Sequence, residues 1–138
     1  MQITLSVNNN KEIRVLPVVP EDIDIDYQAE TELIDRVSKG KLMIVKGEDL
    51  FKLDISSFFP SKEYRFMQQG STANPKDYID FIAKQRAEKK PFRVVVTLEN
   101  GEELVNKLCY CTNFKISKIE RNKDVKYSMS FTETESGG

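Results

Sequence analysis

At 138 residues the chain has the size of one domain and can bury a core without disulfide or metal staples. Its 21 basic and 22 acidic side chains leave a formal net charge of −1, which provides no global field to draw in nucleic acid or an anionic membrane. No apolar run approaches the ~20 residues of a spanning helix, the opening MQITLSVNNNK lacks the marks of a leader, and histidine is absent; a soluble, cytosolically made protein is expected, and His-dependent catalysis is excluded.

In chain order, Ile3, Leu5 and Val7 alternate with polar neighbours, and Asn8-Asn9-Asn10 supplies turn residues tolerant of positive φ. Ile13, Val15 and Leu16 then resume the apolar pattern, which predicts a β-hairpin. Pro17 and Pro20 withhold backbone donors, so the second strand ends there or runs on as an irregular edge. In EDIDIDY, Asp22, Asp24 and Asp26 fall on one side and Ile23, Ile25 and Tyr27 on the other, the pattern of a half-buried strand with one acidic face. Successive carboxylates on that face stand roughly 6 to 7 Å apart. No glycine bends them around an ion, so a solvated or lumen-facing surface is expected, with no metal site.

The following residues to Val37 stay extended or make a short helical turn, and a strand is predicted. Ser38-Lys39-Gly40-Lys41 reads as a turn. LMIVKGEDLFKLDISSFF then reads as two short strands around Lys46-Gly47-Glu48-Asp49, with Leu50, Phe51, Leu53 and Ile55 as core or interface side chains. Phe58, Phe59, Tyr64 and Phe66, set among Pro60 and Ser61, lack periodicity. Such aromatics either cover one end of a core or form a docking surface. Gln68 to Ala73 is small and polar, hence a mobile loop.

A helix is predicted from Pro75 to about Lys90. Asn74 is placed to cap it, Pro75 tolerates the first helical position, and Asp77 complements the positive end of its dipole. Lys84, Arg86, Lys89 and Lys90 suit the opposite end, which explains them without a phosphate ligand, and Pro91 stops the helix. Tyr78, Ile79, Phe81 and Ile82 make its packing stripe, with Lys76, Asp80, Lys84 and Glu88 facing water.

Phe92 opens the strand RVVVTLE, and Asn100-Gly101 is a hairpin turn. EELVNKLCYCTNFKISKIE returns as one long strand or as two joined at Thr112-Asn113. After a turn at Arg121 to Asp124, Val125, Tyr127, Met129 and Phe131 alternate with Lys126, Ser128, Ser130 and Thr132 in an edge-to-core strand. Cys109 and Cys111 share a strand face, where a disulfide between them has poor geometry, so buried or half-buried free thiols are expected. Residues 1–134 thus form a single domain, mainly β (β-sandwich or barrel) with one flanking α-helix, and 135–138 a flexible tail.

The sequence holds no phosphate loop, dinucleotide fingerprint, nucleophile elbow or zinc spacing. Glu102 and Glu103, like Glu30 and Glu32, sit in turn or polar-face contexts as ordinary solvated charges. The residues therefore point to a non-enzymatic β-rich binding or assembly module with no catalytic residue and no cofactor.

The segments FKLDISSFFPSKEYRF, NPKDYIDFIAKQRAEKKPFRVVVT and NFKISKIERNKDVKYSMSFTE carry a resemblance. Phe59-Pro60-Ser61 with Tyr64, the run Tyr78 to Ile82, and Lys90-Pro91-Phe92 are its strongest elements. Over about Phe51 to Glu133 the chain resembles the N-terminal domain of LysM-containing tail or baseplate proteins of PBSX-like prophages, contractile-tailed Gram-positive phages and phage-tail-like bacteriocins. The resemblance implies a tail-tube-like fold and a structural role at the tube end or baseplate. It implies a hexamer-like ring joining the inner tube to the baseplate hub, with the tail tube protein and hub or spike proteins as partners and neither sequence-specific nucleic acid nor membrane. The location would be a virion or phage-tail-like particle made in the host bacterial cytoplasm. Family members usually continue into a linker and a LysM module, whereas this sequence stops at Gly138, so no peptidoglycan-binding role is carried over. In such a ring, strand edges beside Pro17 and Pro20 or at the last strand would pair between neighbours. Asp22, Asp24 and Asp26 would form a repeated band, and Phe58, Phe59, Tyr64 and Phe66 would contact the next ring. The alternative is a stand-alone ligand- or glycan-binding β-sandwich.

Overall fold

Alternation of apolar and polar residues recurs along the chain, and strands form on both sides of one helical segment. The computed structural model describes residues 1–20, 22–27, 29–37, 40–48 and 51–134. Its strands are β1 (Gln2–Val7), β2 (Glu12–Val15), β3 (Asp22–Asp26), β4 (Ala29–Arg36), β5 (Gly40–Glu48), β6 (Lys52–Phe59), β7 (Phe92–Thr97), β8 (Glu103–Ile119) and β9 (Val125–Glu133), with helix α1 (Pro75–Ala87) between β6 and β7. This is the expected mainly β architecture with one helix. Asp49, Leu50, the Ser38-Lys39 part of one predicted turn and the 135–138 tail lie outside the described residues.

Seven strands form one antiparallel sheet in the order β2-β1-β7-β8-β9-β6-β3. Its two edge strands are consecutive in sequence, joined across the Pro17 and Pro20 segment. A flat sheet of that order would be about 29 Å wide, whereas the link from Val15 to Asp22 reaches at most about 25 Å. The sheet must therefore curl, which brings its inner face around a core. Lining that face are Ile3 and Leu5 of β1, Leu53 and Ile55 of β6, Val94 and Val96 of β7, and Tyr127, Met129 and Phe131 of β9, all buried.

Helix α1 closes the core with Tyr78, Phe81 and Ile82. Tyr78 Oη donates to the Val15 carbonyl at 2.7 Å, and Arg14 pairs with Asp77 at 2.9 Å, tying the helix to β2. On the opposite side Arg86 Nε donates to the Cys111 carbonyl of β8 at 3.1 Å. Asn74 caps the first turn by accepting from the Asp77 N–H. The helix stops three residues before Lys90, because Lys89 takes a left-handed conformation (φ 57°) and the Lys90 N–H returns to the Gln85 carbonyl at 3.1 Å. Gln85 itself is buried and donates to the Pro91 carbonyl at 2.9 Å, a role its polar side chain concealed in the sequence.

Two further expectations change, and one open alternative is resolved. Lys46-Gly47-Glu48 does not turn: β5 runs through it, pairing Gly47 with Glu30 and Val45 with Thr31, so the extra residue Lys46 is a bulge. Of the two alternatives for the return segment, the structure takes the single long strand β8, and the possible joint is a bulge, since Cys111 faces Phe131 and Asn113 faces Ser130. β9 is not an edge strand; β6 and β8 occupy both its sides. Cys109 and Cys111 are free thiols pointing into the core, as their spacing required.

Candidate assembly surfaces

The strand pleat explains why two adjacent aromatics behave oppositely. Phe58 and Phe59 end β6, and successive side chains of a strand leave on opposite faces. Phe59 has no exposed surface; its ring stacks on Tyr127 (4.1 Å between centroids) and on Tyr78 (5.0 Å), joining β9, β6 and α1. Of the four aromatics expected at a contact surface, Phe59 is therefore a core residue. Phe58 emerges on the other side, where it meets Tyr64 and Phe66 edge-on at 6.3 and 6.2 Å. Tyr64 and Phe66 stack at 4.9 Å, Lys62 lies 5.2 Å from the Tyr64 ring, and Phe66 is 54% exposed. The structure thus assembles Phe58, Tyr64 and Phe66 into one aromatic platform.

The platform is held by Asp124, a residue the sequence marked only as part of a turn. Asp124 is buried and accepts from the Ser61 N–H (2.7 Å), Tyr64 Oη (2.6 Å) and Asn122 Nδ2 (3.1 Å). Burial alone would raise its pKa, but these bonds from Tyr64, Ser61 and Asn122 outweigh it and hold the carboxyl below the usual range. The same bond to Asp124 raises the Tyr64 phenol. Clefts of about 610 and 720 Å³ flank Phe58, the first bordered by Lys118, Ile119 and Lys126 and the second by Lys115, Phe66 and Ser128.

A second surface is the outer face of β8, β9, β6 and β3. Register aligns Asp24, Asp54, Ser130 and Asn113 in one row, then Ser56, Ser128 and Lys115, then Phe58, Lys126 and Lys118. The face grades from carboxylates on β3 through hydroxyls to lysines on β8 and β9, two of which, Lys118 and Lys126, share Glu120. Asp24 is exposed and Asp26 half-buried; the Asp22 side chain is outside the described set, although its backbone pairs with Ser56. The acidic residues and the aromatic platform are not one site: they occupy different strands of this face, with Phe58 at the lysine end.

A third surface escaped the sequence reading. Among the described residues β4 and β5 pair only with each other, opposing Leu33 to Met43 and Ile34 to Leu42. Leu33 and Met43 are 66% and 59% exposed, and Ile34, Leu42 and Ile44 are exposed on the other face. The signal was present in the paired dipeptide Leu33-Ile34 and the run Leu42-Met43-Ile44: consecutive apolar residues on a strand populate both faces, so both faces call for cover. Among the described residues no three His, Cys, Asp or Glu side chains are grouped to hold a metal ion, and no helix is long and apolar enough to cross a membrane.

No family model matches the chain. A curated relative, the uncharacterized protein YqbP of Bacillus subtilis (strain 168), is 29% identical over 91 residues, covering 66% of this chain and 42% of the relative. The chain thus spans about two-fifths of that relative's length. Among solved structures, a chain of the virion of the native gene transfer agent (GTA) particle superimposes with a TM-score of 0.63 at 9% identity, covering 97% of this chain and 92% of that one. A chain of the empty GTA particle tail, of C6 symmetry, gives 0.60 at 13% identity, covering 99% and 92%. A chain of the six-fold symmetrised anti-feeding prophage (AFP) baseplate gives 0.57 at 7% identity, covering 97% and 88%. The fold is therefore that of subunits found in phage-tail-like particles.

Proposed function

We propose that this chain is a non-enzymatic structural subunit of a contractile phage tail or phage-tail-like particle, at the tube end or baseplate, assembling as a ring that joins the inner tube to the baseplate hub. One observation carries the reading: the layer β8-β9-β6-β3 is open at both ends and graded in charge. Beyond Cys109, β8 has no β7 partner, and β3 has no strand outside it among the described residues. Strand direction alternates across the four, so β3 of one copy beside the distal half of β8 of the next continues the antiparallel order. That contact sets the carboxylates of β3 and Asp54 near Lys115, and repetition closes a ring with a polar inner face. The six-fold symmetry of the tail and baseplate that hold the similar chains supports this arrangement.

The β4-β5 ribbon fits the same role. An isolated two-stranded ribbon is marginal in water, and its exposed apolar side chains gain a cover when it reaches across a neighbour. The Phe58, Tyr64 and Phe66 platform then faces the next ring, tube protein or hub, as the tail-protein resemblance implies.

The test is assembly of the purified chain, alone and with its tail tube protein, observed by electron microscopy and sedimentation. Rings are expected, lost in Asp24→Lys with Asp54→Lys and regained when that variant also carries Lys115→Glu. A chain that remains monomeric with tail partners and instead binds a glycan overturns the proposal.

A further inference from the structure

The turn between β7 and β8 carries a reactive pair of residues that the ring reading does not use. Of the asparagines in the chain, only Asn100 is followed by glycine. An asparagine side-chain amide is an electrophile, and the backbone nitrogen of the next residue is the nucleophile held nearest to it. Gly101 has no Cβ to hinder that approach. Asn100, Gly101 and Glu102 are all exposed. Gly101 has φ 89°, and a Cβ placed on it would meet nothing within 4 Å. Asn100 Oδ1 accepts from the Glu102 N–H at 3.0 Å, a bond that polarises Cγ and stabilises negative charge developing on that oxygen. Asn100 Nδ2, the group that would leave, has no partner among the described residues. The Gly101 N–H donates to the Leu98 carbonyl at 2.9 Å, so attack needs that one bond at the turn tip to open to water.

The other asparagines lack this combination. Asn74 precedes Pro75, which has no N–H to give up. Asn8, Asn9 and Asn10 are each followed by a residue with a side chain. Asn106 is held at both ends of its amide, accepting from Arg93 and donating to Glu103. Asn122 is the most informative contrast. Its Oδ1 accepts from the Asp124 N–H at 3.0 Å, the same local bond that Asn100 makes, yet its Nδ2 is tied to Asp124 Oδ2 at 3.1 Å and Lys123 follows it.

We propose that Asn100 is a site of spontaneous covalent modification, with water as the co-reactant. The Gly101 nitrogen gives its proton to solvent and bonds to Asn100 Cγ. The Cγ–Nδ2 bond then breaks, and Nδ2 takes a proton from solvent and leaves as ammonia. Water opens the resulting succinimide at one of its two carbonyls, giving aspartate or isoaspartate. The amide and water thus become a carboxyl group and ammonia, with nothing oxidised or reduced. Either product sets a further carboxylate between Glu99 and Glu102. Isoaspartate also lengthens the backbone by a methylene inside the turn closed by the bond from the Leu98 N–H to the Glu102 carbonyl. The reaction needs only the folded monomer and water, so it is decided separately from ring assembly.

The experiment ages the purified native chain at physiological temperature, at mildly acidic and mildly alkaline pH. Peptide mapping by mass spectrometry reads the exchange of NH for O at each asparagine, and enzymatic isoaspartyl methylation reads the rearranged product. Conversion should be at least about tenfold faster at Asn100 than at Asn122 or at Asn8 to Asn10, a gap that a modest difference in barrier produces. It should quicken with pH, because the attacking nitrogen must first lose its proton. Gly101→Asp, which tolerates the left-handed backbone but adds a side chain, should slow conversion of Asn100 at least about tenfold. Asn100→Gln should remove both signals from that peptide. An Asn100 that stays intact in the native chain while the same chain unfolded in guanidinium converts would overturn the proposal. So would faster conversion at Asn122, or a Gly101→Asp variant that converts at the parent rate.

Discussion

Phe59→Ala and Phe58→Ala change neighbouring residues of one strand, and the structure predicts very different outcomes. Phe59 is fully enclosed and stacked between Tyr127 and Tyr78, so truncation removes a buried ring and leaves a cavity bounded by two other aromatics. Buried Phe→Ala changes cost about 3 to 5 kcal/mol, and the loss of two stacking contacts argues for the middle of that range or above. With an unfolding entropy of about 2.1 cal/mol/K per residue, a loss of about 4 kcal/mol lowers the melting temperature by about 14 °C in a chain of this size. Phe58 is only half-buried among surface aromatics, and its truncation should cost about 1 kcal/mol or less, a shift of about 4 °C at most. The assay is thermal unfolding followed by circular dichroism under conditions that keep the chain monomeric. A Phe59→Ala melt within about 3 °C of the parent, or a larger loss in Phe58→Ala, would refute the division of these rings between core and surface.

Asp124→Asn tests the anchor of the aromatic platform. The native carboxyl is held below its ordinary value, so its contribution is complete above the ordinary Asp range, near pH 4, and is lost as pH falls through the depressed pKa. The variant should be about 1.5 to 3 kcal/mol less stable at pH 7, and the gap in melting temperature should narrow on acidification; a gap independent of pH down to about 3 contradicts the network. Burial pushes the Cys109 thiol up to about 12, with Glu133 adding to it, and the Cys111 thiol up to about 11. A thiol reagent at pH 8 should therefore leave both unmodified in the native chain and label both in denaturant, whereas rapid native labelling would show the inner face of β8 to be accessible.

Local chemistry alone was enough to specify the elements whose cause lies within a few residues. Three asparagines can occupy left-handed conformations and reverse β1 into β2, and Asn74-Pro75 with Asp77 begins α1 where it was expected. Period-two alternation likewise placed Val125, Tyr127, Met129 and Phe131 on one buried face. What sequence alone left open depends on partners distant in the chain. Whether Phe58 or Phe59 faces the core follows from the phase of the β6 pleat against β9 and α1, and the aromatic residues themselves carry no mark of it. Asp124 gained its role only when the fold carried Ser61 and Tyr64 to it, some sixty positions along the chain. Pro17 and Pro20 announced an interruption, but only sheet order showed that β2 and β3 on either side of it are the two edge strands of a curled sheet. Tertiary structure decided these because burial, edge exposure and charge segregation are properties of a surface, and a surface is defined only after distant strands have paired.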